Sequence, residues 1–307
     1  MIHVLYENPD WMPPLRRALE SRGLPWTEHL CDGGSFDICD PPADGVWLNR
    51  MSPSAQTRGN GDGVHQVREL LTVLERWDLP VINGSQAFAL EVSKVRQLAA
   101  LSKAGIDTPC TTVVVGTAKL KAAARHMPLP FLIKHNQGGK GLGVRLFREL
   151  GAFDAYVDGP DFEPAFDAVS LLQVYIEPAE PFITRVEIVD GRFLYAIRAS
   201  TVGGFELCPA DACQVGDAFC PVGEEAASKF SLSPLTADDP LVQSYLRFCQ
   251  DQRIDVAGIE FVEDAKGRRS TYDVNMNTNY NGEVERAHGL DGMAAIAALC
   301  ARRLAGR

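Results

Sequence analysis

A glycine-rich segment flanked by lysines is the part of this sequence best suited to chemistry. A short apolar run ends at Lys134, and a loop separates it from a second apolar run, Val144 to Phe147. The loop contains a second lysine and four glycines: Gly138, Gly139, Lys140, Gly141 and Gly143. Glycines let a backbone approach a ligand closely, and successive backbone N–H groups can form an anion-binding nest. The pattern predicts a β-hairpin whose turn lies over an anion, for which a nucleotide polyphosphate is the obvious candidate.

This loop differs from two common phosphate-binding motifs. No Ser or Thr follows the pair Gly139-Lys140, as a Walker A loop requires. Its glycines lack the G-x-G-x-x-G spacing of a dinucleotide fingerprint, and the segment after the loop is predicted to be a strand instead of a helix. A glycine-rich hairpin without a ligand is the alternative that the loop alone leaves open.

Two carboxylates and an amide in a second predicted hairpin are suited to binding a metal ion. Strand-like segments from Val256 to Val262 and from Ser270 to Asn275 flank a polar turn that contains a glycine. With a loop of about six residues, Glu260 falls opposite Asp273, and Asn275 shares the face of Asp273. Facing like charges are destabilising unless something neutralises them, and Mg²⁺ prefers one or two carboxylates plus substrate phosphates. The alternative is the solvated face of an edge hairpin.

Both hairpins lie in an order that resembles the ATP-grasp superfamily and, within it, the RimK-type carboxylate–amine ligases. The resemblance runs from about Val81 to Asn281. The segments that carry it are Leu79–Ser85, Ser93-Lys94, Lys103–Pro109, Ile133-Lys134 with the glycine loop, Leu172–Ile176, Arg185, Arg198, Gly258–Glu260 and Tyr272–Asn275. The resemblance implies an α/β (α+β) fold of ATP-grasp architecture, with an N-terminal parallel-sheet lobe followed by two α/β lobes that clasp ATP.

The resemblance also implies which residues bind ATP. Lys94, on a helix predicted from about Gln86 to Lys103, matches the lysine that reaches the α-phosphate, and Lys134 matches the lysine near the α- and β-phosphates. The loop Gly138–Gly143 matches the lid over the β- and γ-phosphates, and Glu180 is a candidate for the ribose hydroxyls. The hinge that contacts adenine through its backbone matches Gln173, Val174, Tyr175 and Ile176.

The metal and the reacting groups are assigned in the same way. Mg²⁺, with Mn²⁺ as an alternative, would be held by Glu260, Asp273 and Asn275. Charge on the reacting phosphoryl and carboxylate groups would be stabilised by Arg185, Arg198 and Lys140. The chain departs from the family pattern in three places. The two metal-binding acids appear exchanged in length, Ile183 replaces an acid that often precedes Arg185, and Gln173 replaces an acid of the hinge.

Elements along the chain predict three units, residues 1–85, 86–172 and 173–307. The first unit alternates strands with helices, which favours a parallel sheet. Its predicted elements are the strands Ile2–Tyr6, Val46–Leu48 and Val81–Asn83 and the helices Met12–Arg22 and Val64–Trp77. Residues 86–172 carry the glycine loop, and residues 173–307 carry the hinge, the metal ligands and a predicted final helix from Asp291 to Leu304.

Two polar segments are candidates for substrate binding. Arg50 and Arg58 lie in a loop after a predicted strand, and ligands collect at the carboxyl ends of strands in open α/β sheets. Either arginine could bind a substrate carboxylate through two hydrogen bonds. Asn277 and Asn279 lie in an amide-rich segment after the second hairpin. A solvated loop and an amide-rich turn are the respective alternatives. The turn-rich segment 203–235 is a further candidate part of the acceptor pocket.

The composition excludes several other classes of function. The net charge is −10 and the pI about 5.1, whereas binding to a nucleic-acid backbone needs a basic face, so we expect no nucleic-acid partner. No apolar run approaches the roughly 20 residues that span a bilayer, and the N-terminus lacks the features of a signal peptide. We therefore expect a cytoplasmic protein without a membrane partner. The eight cysteines are expected to be reduced, and the cluster Cys208, Cys213 and Cys220 lacks the C-x-x-C pair typical of zinc sites.

These features together favour an ATP- and Mg²⁺-dependent ligase. It would join a carboxylate to an amine through an acyl phosphate and release ADP and phosphate. The substrates would be small molecules, such as an amino acid or peptide, or the terminus of a protein. An ATP-dependent phosphotransferase and a non-catalytic ATP-binding protein are the alternatives. Exposed apolar faces of the first unit could pair subunits in a homo-oligomer.

Overall fold

Three β-sheets flanked by helices make up the protein. The structure is a computed structural model that describes residues 1–139, 143–202 and 229–306. Its strands are β1 (Ile2–Tyr6), β2 (Trp26–Leu30), β3 (Val46–Arg50), β4 (Val81–Ile82), β5 (Thr111–Val115), β6 (Phe131–His135), β7 (Arg145–Phe147), β8 (Val169–Val174), β9 (Phe182–Val189), β10 (Arg192–Ser200), β11 (Phe230–Leu232), β12 (Val256–Glu263) and β13 (Arg269–Asn275).

The helices connect these strands and cover the sheets. They are α1 (Pro13–Ser21), α2 (Gly61–Arg76), α3 (Ser85–Glu91), α4 (Lys94–Lys103), α5 (Leu120–Ala124), α6 (Leu150–Asp158), α7 (Pro240–Asp251), α8 (Gly282–His288) and α9 (Gly292–Ala305). Short 3₁₀ helices occur at Pro9–Trp11, Ala55–Arg58 and Thr117–Lys119. None of the helices in the described ranges combines the length and the apolar character needed to cross a bilayer.

The N-terminal sheet is parallel, as the alternation of strands and helices predicted. Its strand order is β2-β1-β3-β4. The strand that we predicted to end at Asn83 ends one residue earlier, because Asn83 has a left-handed backbone with φ 55°. The amide of Asn83 instead bonds the backbone of Val256 on β12 and the carbonyl of Met276. One side chain therefore fastens the N-terminal sheet to the C-terminal sheet.

Helix α9 completes the core of the N-terminal sheet. It packs against α1, β3 and β9. Its buried Ile296 and Leu299 belong to the same apolar cluster as Val4 and Leu15. The predicted final helix is confirmed, with Asp291 as its N-cap. The first and last elements of the chain thus share one core.

The central sheet carries the glycine-rich hairpin. Its order is β5-β8-β6-β7, and β6 pairs with β7 in antiparallel register across the loop, so the predicted hairpin is confirmed. Phe131, Phe147 and Phe153 pack edge to face beneath it. Such aromatic contacts favour a rigid base for the loop. The predicted boundary between residues 172 and 173 falls inside β8, and the division into units remains a prediction.

The C-terminal sheet is antiparallel and carries the second predicted hairpin. Its order is β11-β10-β9-β12-β13. Glu260 on β12 lies opposite Asp273 on β13, which confirms the predicted register, and a bulge follows Glu260. Helices α3, α4 and α7 pack on one face of this sheet. The residues that we predicted to bind a metal therefore lie on the edge pair of strands.

The single helix predicted from Gln86 to Lys103 was wrong, because the chain forms two helices there. Helix α3 ends at Glu91, and α4 begins at Lys94. Ser93 is extended, with φ −150°, and its hydroxyl accepts a hydrogen bond from the backbone N–H of Arg96. Serine is a preferred N-cap because it satisfies such a free donor. Lys94 is consequently the first residue of a helix.

Candidate active site

A cavity of about 260 Å³ lies where the three sheets meet. It is lined by residues of the central and C-terminal sheets and by Trp11, Ser52 and Ser54, which lie in segments next to the N-terminal sheet. The residues predicted from the sequence that line it are Lys94, Lys134, Gly138, Gly139, Gln173, Val174, Tyr175, Ile176, Arg185, Glu260, Asp273, Asn275, Asn277 and Asn279. The fold therefore brings together residues that are far apart in the sequence.

Asn136 positions the two cavity lysines relative to each other. It follows β6, two residues after Lys134, and its backbone carbonyl accepts a hydrogen bond from the N–H of Lys94 at 3.0 Å. Its side-chain oxygen accepts from the N–H of Val95 at 3.0 Å and from the hydroxyl of Ser93 at 3.1 Å. These bonds satisfy donors at the start of α4, which would otherwise be unpaired. The start of α4 is thereby tied to the end of β6.

Lys94 forms an ion pair with a predicted metal ligand. Its Nζ lies 2.6 Å from Oδ1 of Asp273 on β13. Burial acts to lower the pKa of Lys94, but the charge of Asp273 and its hydrogen bond outweigh burial, so this pKa lies above its ordinary value. Lys94 is therefore a charged group at neutral pH.

Lys134 is a buried cation without a counterion in the described part of the chain. Its side chain is mostly enclosed, and its Nζ lies 4.8 Å from the centre of the Tyr272 ring, in a cation–π arrangement. Burial, assisted by the nearby charge of Lys94, lowers the pKa of Lys134 to about 8. An anion in the cavity would compensate this charge.

Arg185 is held in a buried network with two carboxylates. Its Nε donates to Glu187 at 2.6 Å, its Nη1 to Glu260 at 2.8 Å and its Nη2 to Thr278 at 2.7 Å. The Thr278 hydroxyl donates in turn to Glu187 at 3.0 Å. Burial opposes the charge of Arg185, but the two carboxylates raise its pKa above the ordinary value. The network fixes Glu260 at the edge of the cavity.

A glycine makes room for this guanidinium. Gly258 lies on β12, and a Cβ at this position would overlap the guanidinium group of Arg185. The glycine in the segment Gly258–Glu260 therefore has a packing role: it lets Arg185 lie flat against the neighbouring strand and reach Glu260.

The chemistry of the predicted metal ligands fits Mg²⁺. Glu260 and Asp273 face each other, and burial raises the pKa of Glu260 although Arg185 opposes this rise. The amide nitrogen of Asn275 points toward the carbonyl of Gly258 at 3.4 Å and Glu260 at 3.5 Å, which leaves its oxygen available. Among the described residues, no three His, Cys, Asp or Glu side chains form a metal-binding group. Two carboxylates and an amide suit a hard cation that also binds phosphate.

The hinge after β8 offers backbone groups to the cavity. The N–H of Val174 donates to Cys110 and that of Tyr175 to Pro130 within the sheet. Within the described ranges the N–H of Ile176 has no such partner. The Gln173 side chain donates to Thr111 at 2.9 Å. Ile176 is therefore the hinge residue best placed to donate a backbone hydrogen bond to a ligand.

Arg198 does not join the other predicted residues. It pairs with Thr184 across β9 and β10, whereas Arg185 pairs with Ile197. Because side chains alternate between the faces of a sheet, Arg198 lies on the face opposite to Arg185. Its guanidinium stacks 4.3 Å from the centre of the Phe182 ring, and it does not line the cavity. The geometry gives no support to its predicted catalytic role.

Arg58 is engaged elsewhere in the chain. It forms an ion pair with the buried Glu7, donates to the Ser54 hydroxyl at 3.2 Å and lies over the Trp11 ring at 4.9 Å. Its charge is therefore already compensated, which argues against the predicted substrate role. Gly143 and Glu180 do not line the cavity either. The predicted residues Lys140 and Gly141 and most of the segment 203–235, with its cysteines, lie outside the described residues.

Two buried carboxylates at the site were missed in the sequence analysis. Glu187 compensates Arg185, as described above. Glu91 lines the cavity, and its carboxylate accepts hydrogen bonds from the backbone N–H groups of Met276 and Asn277. Burial raises the pKa of Glu91 to about 7, although these hydrogen bonds oppose the rise. A single acid inside an apolar run, as at both positions, was the available signal.

The comparisons with known proteins agree with this architecture. Residues 92–207 match the family model of the RimK-like ATP-grasp domain. The sequence has no significant match among curated proteins. A RimK domain protein ATP-grasp from Sphaerobacter thermophilus has a similar structure, at 18% identity and a TM-score of 0.67, with 97% of this chain and 98% of that chain covered.

Two further solved structures are similar over nearly their whole lengths. The D-cycloserine synthetase DcsG is 19% identical with a TM-score of 0.66, and 99% of this chain and 100% of that chain are covered. The ATP-grasp ligase PsnB, complexed with a minimal precursor, is 15% identical with a TM-score of 0.66 and 98% coverage of both chains. The chain has the ATP-grasp fold, and its residues 92–207 are similar to the RimK-like ATP-grasp domain, as the sequence resemblance predicted.

Proposed function

We propose that this protein is an ATP- and Mg²⁺-dependent ligase that joins a carboxylate to an amine. The observation that carries the proposal is that one cavity contains both Lys134, a buried cation that forms no ion pair with the described residues, and the facing carboxylates Glu260 and Asp273. Such a site offers positive charge to phosphates and oxygen ligands to a metal ion.

ATP would occupy the cavity between the central and C-terminal sheets. The adenine would contact the hinge at Ile176, and the phosphates would lie near Lys94, Lys134 and the start of the glycine-rich loop. Glu260, Asp273 and Asn275 would hold Mg²⁺, which supplies charge neutralisation and orientation of the phosphates. Binding of the metal would compete with Lys94 for Asp273.

The reaction consists of two transfers. A substrate carboxylate oxygen attacks the γ-phosphorus, the bond to the β-phosphate oxygen breaks, and ADP leaves with that electron pair. The amine then attacks the carbonyl carbon of the acyl phosphate, phosphate leaves and the nitrogen loses a proton. Lys134 would stabilise charge on the transferred phosphoryl group. A closed glycine-rich loop would exclude water, which otherwise hydrolyses the acyl phosphate.

Two structural neighbours support the same chemistry. They are the ATP-grasp ligase PsnB complexed with minimal precursor, Mg and ADP, and the D-cycloserine synthetase DcsG. The first is in complex with a precursor and the second is a synthetase of a small molecule. The proposal for this chain therefore includes both kinds of substrate.

The test is ADP release from Mg·ATP in the presence of pooled carboxylates and amines, with mass spectrometry of the products. A new amide mass that depends on both pools supports a ligase. A stable phosphorylated product contradicts it and indicates a phosphotransferase. ATP binding without turnover in any pool favours a binding protein or a protein acceptor.

Variants of cavity residues test whether ADP release depends on the cavity. We expect Lys134→Ala and Asp273→Asn to abolish most of the ADP release. The matched controls are Lys121→Ala and Asp158→Asn, which remove the partners of an exposed surface ion pair. Loss of activity in the controls would show that the effect is not specific to the cavity.

A further inference from the structure

Arg50 is a buried charge without a carboxylate partner. It ends β3, and only 5% of the residue is exposed. Its Nη2 donates to Oδ1 of Asn279 at 2.9 Å, and its Nη1 contacts the sulfur of Met293 at 3.7 Å. Both partners are neutral. Within residues 1–139, 143–202 and 229–306, no carboxylate lies within ion-pair distance of Arg50.

Comparison with Arg185 shows how unusual this arrangement is. Both guanidinium groups are buried, but Arg185 has two carboxylate partners, which raise its pKa. For Arg50 burial prevails, and its pKa is lowered to about 10. A buried charge is normally paired, because desolvation is otherwise uncompensated. An anionic ligand next to Arg50 would therefore compensate its charge, which its neutral partners Asn279 and Met293 do not.

Unsatisfied polar atoms surround the same place. Among the residues that the structure describes, the buried Oδ1 and Nδ2 of Asn277 and the buried hydroxyl of Tyr280 have no hydrogen-bond partner. Arg50 can only donate, so it fixes the oxygen of Asn279 toward itself and leaves the NH₂ group of Asn279 for other partners. Asn277 and Asn279 both line the cavity of the proposed ATP site, whereas Arg50 lies behind Asn279, outside that lining. The amide groups of both asparagines therefore face the cavity next to a buried positive charge.

We propose that Asn277 and Asn279, with the charge of Arg50 directly behind Asn279, bind a carboxylate of a small substrate that stays ionised through the reaction. The carboxylate that becomes an acyl phosphate loses its charge, and it must lie near Lys134 and the metal ligands. A guanidinium instead suits a carboxylate that keeps its charge. The substrate is then a small molecule with a free carboxylate, either an amino acid that supplies the amine or a dicarboxylate that is activated at its other end.

The role of this carboxylate in the reaction rests on the proposed function, whereas the binding of a carboxylate near Arg50 can be tested without it. The experiment therefore measures thermal unfolding without ATP, with four probes: L-alanine, L-alaninamide, succinate and succinamide. Sodium chloride keeps the ionic strength equal. We expect one of the two acids to raise the unfolding midpoint of the wild-type protein more than its amide does. The acid that does so identifies the amino acid or the dicarboxylate as the source of the carboxylate.

Arg50→Met tests the residue itself. We expect it to unfold at the same or a higher temperature than the wild type, because it removes an unpaired buried charge, and to lose the shift caused by the acid. Arg16→Met is the control, since Arg16 forms a half-exposed ion pair with Glu28 on the same sheet; it should retain the shift. Arg50→Lys keeps the charge and serves if the methionine variant does not fold.

Two results overturn the proposal. The first is a wild-type midpoint that responds equally to each acid and its amide. The second is a folded Arg50 variant that responds like the wild type. ATP binding is measured separately, so its failure would contradict the proposed function and leave the carboxylate result standing.

Discussion

The Nζ of Lys94 lies 2.6 Å from Oδ1 of Asp273, although 179 positions separate the two residues in the sequence. This ion pair joins the first residue of α4 to β13, and it occupies the carboxylate that we propose as a metal ligand. In the absence of Mg·ATP the lysine neutralises Asp273. If Mg²⁺ binds Asp273 as we propose, Lys94 would be released toward the phosphates. The ion pair thus holds Lys94 and Asp273 together at the place where we propose that Mg·ATP binds.

Replacing Asp273 by Asn removes one carboxylate from the proposed metal site and the partner of Lys94. We expect at least about a 10- to 100-fold higher Mg²⁺ requirement for ADP release, the range in which metal sites respond to altered ligand surroundings. The measurement is ADP release against Mg²⁺ concentration at saturating ATP. An unchanged Mg²⁺ dependence would exclude Asp273 as a ligand. Asp158→Asn, on the surface, is the control.

The pKa of Lys134 predicts how ATP binding depends on pH. This pKa is about 8 in the free protein, so the lysine is charged below pH 8 and becomes neutral above it. Because phosphate binding needs the charged form, ATP affinity should be constant below this pH and fall above it, by up to about tenfold per pH unit. Calorimetric titration with ATP across this range checks the prediction. Lys134→Arg keeps its charge and should remove the pH dependence; a parallel fall in the arginine variant would assign the effect to another group.

Gly258 tests the packing of Arg185. In Gly258→Ala the new methyl group overlaps the guanidinium, which must move away from Glu260. We expect a loss of about 1–3 kcal/mol in the free energy of unfolding, typical of overpacking, together with reduced ADP release. Gly151→Ala is the matched control: this glycine lies in α6 with open space around it, and alanine there should not destabilise. The measurement is the free energy of unfolding of both variants in urea. Equal values for Gly258→Ala and Gly151→Ala would contradict the predicted overlap.

For Arg198 the family resemblance and the observed geometry predict different roles. The resemblance assigned it to the reacting groups, whereas the sheet places it on the face opposite to Arg185. We expect Arg198→Gln to retain ADP release close to the wild-type rate, while Arg185→Gln loses it. Steady-state kinetics of both variants checks this, with circular dichroism to confirm folding. A comparable loss in both would mean that Arg198 reaches the reaction after all.

The features that were predicted correctly from the sequence depend on local or periodic patterns of residues. The hairpin of Glu260 and Asp273 was predictable because two alternating strands and a polar turn fix which residues face each other. The break at Ser93 was not, since apolar residues continue at helical spacing on both sides of it. The face of Arg198 depends on pairing with another strand, and an error of one position exchanges the faces.

Other features depend on partners that are distant in the sequence. Arg58 looked available because nothing near it in the sequence announces its ion pair with Glu7. Glu91 and Glu187 are single acids in apolar runs. The partner of Glu91, Met276, lies far along the chain, and Glu187 is bonded both by the nearby Arg185 and by the distant Thr278. The missing partner of Arg50 is visible only when its surroundings are known. Burial and charge compensation are properties of the folded chain, so the sequence alone does not supply them.

The packing of α9 against β3 and α1 has a consequence for how this protein folds. The core of the N-terminal sheet contains residues that are far apart in the sequence, since Val4 and Leu15 share it with Ile296 and Leu299. Contacts between such distant residues are slow to form, because the entropy of loop closure is lost before the contact stabilises the chain. We therefore expect the N-terminal sheet to gain its complete core only when α9 docks.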